Sequence, residues 1–396
     1  MMGGFKPEPT RRAFLKASLL ASGALLVGFE KISWLEASEG ADQDVFTRGK
    51  QLGVLDFVGE SRAPLDTLYG TDLDGRLYTD LSSMTPENPV TPPEKFYIRT
   101  RPSELLDSEK PWLIKLGGLV KRPLNLSMEE LNRLAKPAGL HLMECAGNAR
   151  VTRFAMLSVA DWAGAPVSEV LEMAGIAPQA TRVLISGFDR YLTESTTSAP
   201  GADWIFTPEE LRSSRAFLAT EMNGRPLTRE HGAPVRLLVP GWYGCTCIKW
   251  VQEIRFVGED AAATSQMQEF AKRTHQSGVP SLAKDYRPAS IDQAAMPIRI
   301  EKWLVDEKIK YCVVGILWGG SRPVNVLEIR FNPEEDYAPV DSFKQTINDP
   351  WSFWTHAWTP KKTGTYMIRL RVKDPPVSTR RLDSGYYLRS VEVTEV

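Results

Sequence analysis

The sequence predicts an α+β fold: a mixed domain over residues 96–260 followed by a β-sandwich over 296–396. Two observations predict it. Between Phe96 and Val257, helix-start signals alternate with short apolar runs that read as buried strands. After Met296 the pattern changes to alternation, with Tyr366, Ile368, Leu370 and Val372 on one face and Met367, Arg369, Arg371 and Lys373 on the other. The 396 residues, 42% hydrophobic and 24% charged, have ordinary globular composition, which excludes a disordered or fibrous chain. With 48 basic and 49 acidic residues, nothing points to nucleic acid as a partner.

At the amino terminus, Thr10-Arg11-Arg12-Ala13-Phe14-Leu15-Lys16 precedes thirteen uncharged residues, Ala17 to Phe29. A basic stretch before a short apolar one reads as a twin-arginine export signal over residues 1–40, which places the mature chain in the periplasm. The run is shorter than the roughly 20 residues of a spanning helix. No later segment reaches that length, so the mature chain is expected to carry no membrane span. Residues 41–95 are rich in turn formers and end in Thr85-Pro86-Glu87-Asn88-Pro89-Val90-Thr91-Pro92-Pro93, where proline opposes helix and removes ladder donors. They read as an extended N-terminal arm.

In the mixed domain, Ser127-Met128-Glu129-Glu130 and Thr207-Pro208-Glu209-Glu210 have the form of capping boxes, the second with proline at the first helical position. Val167, Val170, Leu171 and Ala174 make one helical face that Gly175 stops. Val183 to Ile185 and Val235 to Val239 read as strands, as do Val324 to Phe331 and Leu388 to Val393 in the sandwich. Residues 261–295, polar and weakly periodic, read as a connecting segment.

The chemistry concentrates at Glu144-Cys145-Ala146-Gly147-Asn148-Ala149-Arg150, where a cysteine follows an apolar run and precedes small residues that let a ligand approach the backbone. This segment resembles the Cys-Ala-Gly-Asn motif of the sulfite oxidase family of molybdenum enzymes. Glu221-Met222-Asn223-Gly224-Arg225-Pro226, His231-Gly232-Ala233-Pro234-Val235-Arg236, Pro240-Gly241-Trp242-Tyr243-Gly244 and Lys249-Trp250 match the same family in order, and the likeness covers residues 96–396. The resemblance implies that Cys145 is the protein ligand of molybdenum, a role that suits a soft thiolate. It implies further that Asn148, Arg150, His231, Arg236 and Lys249 hold the molybdopterin, whose buried phosphate needs charge-assisted partners. Phe96-Tyr97-Ile98-Arg99 resembles the family segment whose arginine faces the substrate, so Arg99 is the candidate for binding an oxyanion. The carboxy-terminal motifs, among them Trp351-Ser352-Phe353-Trp354 and Trp358-Thr359-Pro360, resemble the family's immunoglobulin-like dimerisation domain, which implies a homodimer.

Three positions depart from the family pattern. Arg99-Thr100-Arg101 puts Arg101 where a histidine is usual and makes it a second candidate for the anion, Ser195 stands where a tyrosine is usual with Tyr191 nearby but out of register, and Asn348-Asp349-Pro350 replaces a second substrate arginine. These departures bear on the substrate rather than the cofactor. Of the four cysteines, Cys245 and Cys247 read either as free thiols beside the cofactor or as core, Cys312 reads as core, and His141 and His356 read as satisfied core histidines.

The resemblance thus implies a molybdopterin oxidoreductase that transfers an oxygen atom to sulfite or a related sulfur compound. No haem-attachment motif occurs in the sequence, so electrons are expected to leave to a separate acceptor such as a cytochrome c. Two other readings stay open: reduction of an S-oxide or N-oxide with the same cofactor, and a non-catalytic binding or assembly subunit.

Overall fold

The local signals in the sequence act as they read. Ser127 Oγ accepts from the Glu130 amide while Glu130 Oε2 accepts from the Ser127 amide, which starts the helix Met128–Leu134. Thr207 and Glu210 close the same reciprocal pair ahead of Pro208–Ser213. The helix Val167–Ala174 buries Val167, Val170, Leu171 and Ala174, and Gly175 ends it at φ 67°. That positive angle is one glycine adopts without steric cost.

The computed structural model describes residues 44–107, 110–343, 349–373, 375 and 377–396. The export signal expected over 1–40, and Asn348 of the Asn348-Asp349-Pro350 stretch, lie outside the described residues.

The chain is a mixed α/β, sheet-rich fold with four five-stranded sheets among the described residues. One sheet carries the site. It runs Arg225–Pro226, Phe217–Met222, Leu157–Pro166, Lys136–Glu144, with Arg236–Leu238 also paired to Phe217–Met222. A second sheet orders Leu124–Ser127, Leu113–Gly118, Val251–Val257, Arg182–Gly187 and Asp203–Phe206, and its Leu113–Gly118 and Val251–Val257 strands are parallel. A continuous apolar cluster joins these sheets to the helices between them, including Leu131, Trp162, Val170, Ile185, Phe206 and Ile254.

Past residue 294, two antiparallel sheets share a second core. Ala294–Val305, Lys308–Trp318 and Trp351–Trp358 build one, and Leu327–Arg330, Gly364–Val372 and Arg389–Val393 build the other. Ile300, Val313, Trp354 and Trp358 of the first meet Leu327, Ile368, Leu370 and Val391 of the second. Tyr366, Ile368, Leu370 and Val372 point inward as their spacing predicts. Trp351, Trp354 and Trp358 are buried within the chain, and Cys312 is core as well.

Residues 44–95 contain more structure than an extended arm. Lys50–Leu55 pairs with Ala294–Val305 at the edge of one sandwich sheet, and Phe57–Val58 pairs with Arg389–Val393 at the edge of the other. The sequence hides the first strand for a physical reason: Lys50 to Val54 are all exposed, so burial imposes no alternation on them.

Candidate functional site

The strand Lys136–Glu144 delivers Cys145 to a turn that the backbone closes tightly. The Cys145 amide donates to Met156 O at 3.0 Å, and the Asn148 amide donates back to Cys145 O at 2.8 Å. Asn148 is fully buried, and its Oδ1 accepts from the Met156 amide at 3.1 Å. It therefore fixes the turn from behind and does not line the cleft in front. The Gly147 amide lies 3.4 Å from Cys145 Sγ, and a Cβ at Gly147 would sit 3.1 Å from Arg273 Nη1. A side chain at 147 would fill the space in front of the thiol.

Cys145 opens onto a cleft of about 940 Å³, mouth included, that also takes in Arg99, His231, Arg236 and Lys249. Each reaches it from a different element. Ile98 is bridged to Leu77, which sets the following Arg99 at the wall. His231 ends a 3₁₀ turn and Arg236 begins the strand Arg236–Leu238, the two linked by Arg236 Nη1 donating to His231 O at 3.1 Å. Lys249 Nζ donates to Thr100 O and Glu230 O, and lies 4.3 Å from the Trp250 ring centre.

The electrostatics ask for an anion. Among the described residues, Arg99, Arg236 and Lys249 have no carboxylate at ion-pair distance. Arg236 is 5% exposed, and its Nε has no hydrogen-bond partner among the described residues. Burial, followed by the Arg236 charge, holds the Lys249 ammonium well below its usual range, and burial lowers Arg236 too. Burial pushes His231 down to about 4, with the neighbouring Arg236 and Lys249 adding to the effect. His231 Nε2 faces Phe96 O at 3.2 Å, which can only accept, so that nitrogen carries the proton and Nδ1 accepts from Thr228 Oγ1 at 2.7 Å. A dianion in the cleft would supply what these cations lack.

Cys145 itself is buried, which raises its thiol above the usual range, while Arg99, the Gly147 amide and Arg273 pull it back. A bound cation would hold it as the thiolate. Cys245 and Cys247 line the same cleft as free, buried thiols, raised chiefly by burial. The donor set of one thiolate beside buried cations, with a glycine facing the thiol, fits a metal that arrives with an anionic organic ligand.

Besides Asn148, two expected site residues do not enter the cleft, Arg101 and Arg150. Arg101 Nη1 donates to Gly70 O at 2.8 Å, and its Nη2 stands 3.7 Å from Glu230. The chain bends after Ile98, so the two-residue period of a strand does not carry Arg101 to the side of Arg99. Arg150 lies in a 3₁₀ turn past the cysteine loop and donates to Leu388 O at 2.8 Å, on the carboxy-terminal domain.

Other residues reach the cleft that sequence reasoning passed over. Gln266, Glu269 and Phe270 come from the connecting segment, through the helix Ser265–Phe270. Asp189, also passed over, faces the cleft and bonds to Tyr191, which the sequence placed near the family's tyrosine position but out of register; burial pushes the Asp189 carboxyl up to about 6. Ser195, at the family's tyrosine position, instead donates to Asp74 Oδ1 at 2.7 Å. His141 bonds to Ala138 O, and His356 faces Asp341 at 3.2 Å, both away from the cleft.

Comparison with known proteins gives a consistent picture. The family described as "Oxidoreductase molybdopterin binding domain" matches residues 101–265. Mitochondrial sulfite oxidase of Homo sapiens is 30% identical over 337 residues, 78% of this chain and 59% of that protein. An NADH nitrate reductase of Ulva prolifera is 24% identical over 289 residues, 65% of this chain and 34% of that protein. The chain thus spans less than two thirds of the length of these relatives. Among solved structures, the sulfane dehydrogenase SoxCD of Paracoccus pantotrophus superposes with a TM-score of 0.59 over 96% of each chain at 16% identity, a likeness of fold.

Proposed function

This chain belongs to the sulfite oxidase family of molybdopterin oxidoreductases, and from that premise we propose that it transfers an oxygen atom to sulfite or a related sulfur compound and passes the electrons to a separate acceptor. The observation that carries the reading is the convergence of the Cys145 thiol with Arg99, Arg236 and Lys249 on one cleft. The family's cofactor is molybdenum–molybdopterin, which when bound exchanges an oxygen atom with substrate and electrons with an acceptor.

The chain's own residues position and neutralise. Cys145 ligates the metal, and the turn tied by Asn148 holds its sulfur at the cleft wall. Arg236 and Lys249 would hold the anionic cofactor, with the unpartnered Arg236 Nε as a ready donor, and His231, whose two ring nitrogens are already bonded to Phe96 and Thr228, lines the cleft beside them. Arg99 has no carboxylate partner among the described residues and offers a guanidinium to the substrate oxyanion, where charge shifts during transfer.

The export pattern over residues 1–40 supports a periplasmic enzyme, and a cytochrome c is the proposed acceptor because the sequence carries no haem-attachment motif of its own. The carboxy-terminal sandwich is proposed to be immunoglobulin-like and to pair with a second copy.

The Asp189–Tyr191 pair favours a second reading, reduction of an S-oxide or N-oxide. Removing oxygen from such a substrate takes up two electrons and two protons and releases water, and a carboxyl raised to about 6 at the cleft wall is suited to deliver a proton. A purely binding role leaves the Cys145 thiol in the cleft without purpose.

The test runs both directions on protein of measured molybdenum content. Sulfite with ferricyanide as acceptor should turn over. Turnover confined to dimethyl sulfoxide or trimethylamine N-oxide with reduced viologen as donor would replace the first reading with the second.

A further inference from the structure

Two guanidinium groups converge on a single hydroxyl at the cleft wall. Arg99 Nη1 donates to Ser198 Oγ at 2.9 Å, and Arg76 Nη2 donates to the same oxygen at 3.0 Å. Arg76 comes from the segment preceding the mixed domain, and its side chain is 11% exposed. Its Nη1 also donates to Arg99 O at 2.6 Å, to Leu73 O at 2.6 Å and to Gly75 O at 2.9 Å, so the guanidinium is locked in place.

A serine hydroxyl has two lone pairs and one proton. At Ser198 both lone pairs are taken by cationic donors, and the proton finds no acceptor among the described residues. Ser198 lines the cleft. The direction left for its O–H is therefore the cleft, and the two guanidinium charges polarise the bond towards stronger donation.

We propose that Ser198 is a substrate-binding residue whose hydroxyl donates to an oxygen of the substrate, and that Arg76 is the positioning residue that keeps the hydroxyl turned that way. Arg99 and Ser198 then form a two-donor anion subsite, cationic on one side and neutral on the other. The subsite is held from outside by the loop that carries Ser198. The Ser198 amide donates to Ser195 Oγ at 2.9 Å, and Ser195 Oγ and Thr197 Oγ1 both donate to Asp74. Asp74 and Arg76 lie two residues apart, so one short segment fixes both the loop and the polarity of its serine.

The proposal rests on the oxyanion reading of the cleft, and its test separates the two. Binding of sulfate, an inert oxyanion probe, is measured by calorimetry on the molybdenum-loaded enzyme, with kcat and KM for sulfite alongside. Wild type and Ser198→Thr should bind sulfate alike, because threonine keeps the hydroxyl. Ser198→Ala should bind about tenfold or more weakly and raise KM more than it lowers kcat. Arg76→Lys should fall between them, since an ammonium replaces one donor without the fork. Ser198→Ala binding sulfate as wild type does would overturn the role of the hydroxyl and leave the oxyanion reading standing. No sulfate binding by loaded wild type would overturn the oxyanion reading and this proposal with it. Matched unfolding midpoints for the variants keep a folding defect from passing as a binding one, and Ser198→Thr failing where it remains folded contradicts the proposal.

Discussion

The Trp318 indole N–H donates a 2.8 Å hydrogen bond to the carboxylate of Glu144, the residue immediately before Cys145. Trp318 ends a strand of the carboxy-terminal sandwich, so that domain reaches the cysteine loop directly. Tyr387 donates to the other carboxylate oxygen at 2.8 Å, and Arg381 approaches that oxygen at 3.9 Å while donating to Ala146 O at 2.9 Å. Tyr386 donates to Asn148 O at 2.7 Å. Burial pushes the Glu144 carboxyl up, and Arg381, Trp318, Tyr387 and Asn148 oppose that rise. The sandwich therefore also anchors the turn that presents the thiol.

That anchoring has a measurable stability. Trp318→Phe and Tyr387→Phe each remove a donor from a carboxylate with no exposed surface, and each should cost about 1–3 kcal/mol in urea unfolding. The double variant should depart from the sum of the two, because both act on one carboxylate. Two independent, near-zero effects would show that Glu144 does not depend on the sandwich.

Arg99 and Arg101 should separate cleanly. Arg99→Ala removes the guanidinium at the cleft wall and should raise KM for an oxyanion substrate by about tenfold or more, in line with loss of a charge-assisted bond. Arg101→Ala removes a contact with Gly70 and Glu230 and should leave KM within about twofold. Equal effects in steady-state kinetics would contradict the placement of Arg101.

Lys249→Met keeps the length of an apolar stem and removes a half-buried charge that has no carboxylate at ion-pair distance among the described residues. Molybdenum retained per chain after gel filtration should fall several-fold relative to wild type. Full retention would take Lys249 out of the cofactor's support.

His231 sets a pH dependence with a definite sign. Its folded value lies at about 4, below the roughly 6.5 of an unfolded histidine, so between the two the unfolded chain binds the extra proton. Stability contributed by the neutral, buried ring is complete above about 6.5, declines as pH falls towards about 4, and declines no further through this group below that. The full loss is at most about 3 kcal/mol. Unfolding of molybdenum-free protein across this range should show the slope, and His231→Gln should flatten it.

Much of the site is legible in the sequence because its parts are contiguous. Cys145 and Asn148 sit in one turn, and the capping boxes at Ser127 and Thr207 act over four residues. What sequence reasoning misses is convergence over long separations. Arg76 and Ser198 meet across 122 residues, and no spacing rule links them. Arg101 read as a second anion ligand because it stands where the family usually has a histidine, but the chain bends after Ile98 and carries its side chain to Gly70 and Glu230 instead. The edge strand Lys50–Leu55 carries no burial signal, and the connecting segment's contribution of Phe270 and Gln266 to the cleft depends on tertiary docking alone.

Cys145 is proposed to ligate a molybdenum centre that acts on an oxyanion. Metal analysis and sulfite turnover of purified wild type beside Cys145→Ser test it most directly. Wild type should hold about one molybdenum per chain and turn sulfite over with an artificial acceptor, and the variant should lose that turnover. Undiminished turnover in Cys145→Ser, or wild type purified without molybdenum from cells that make the cofactor, would contradict it.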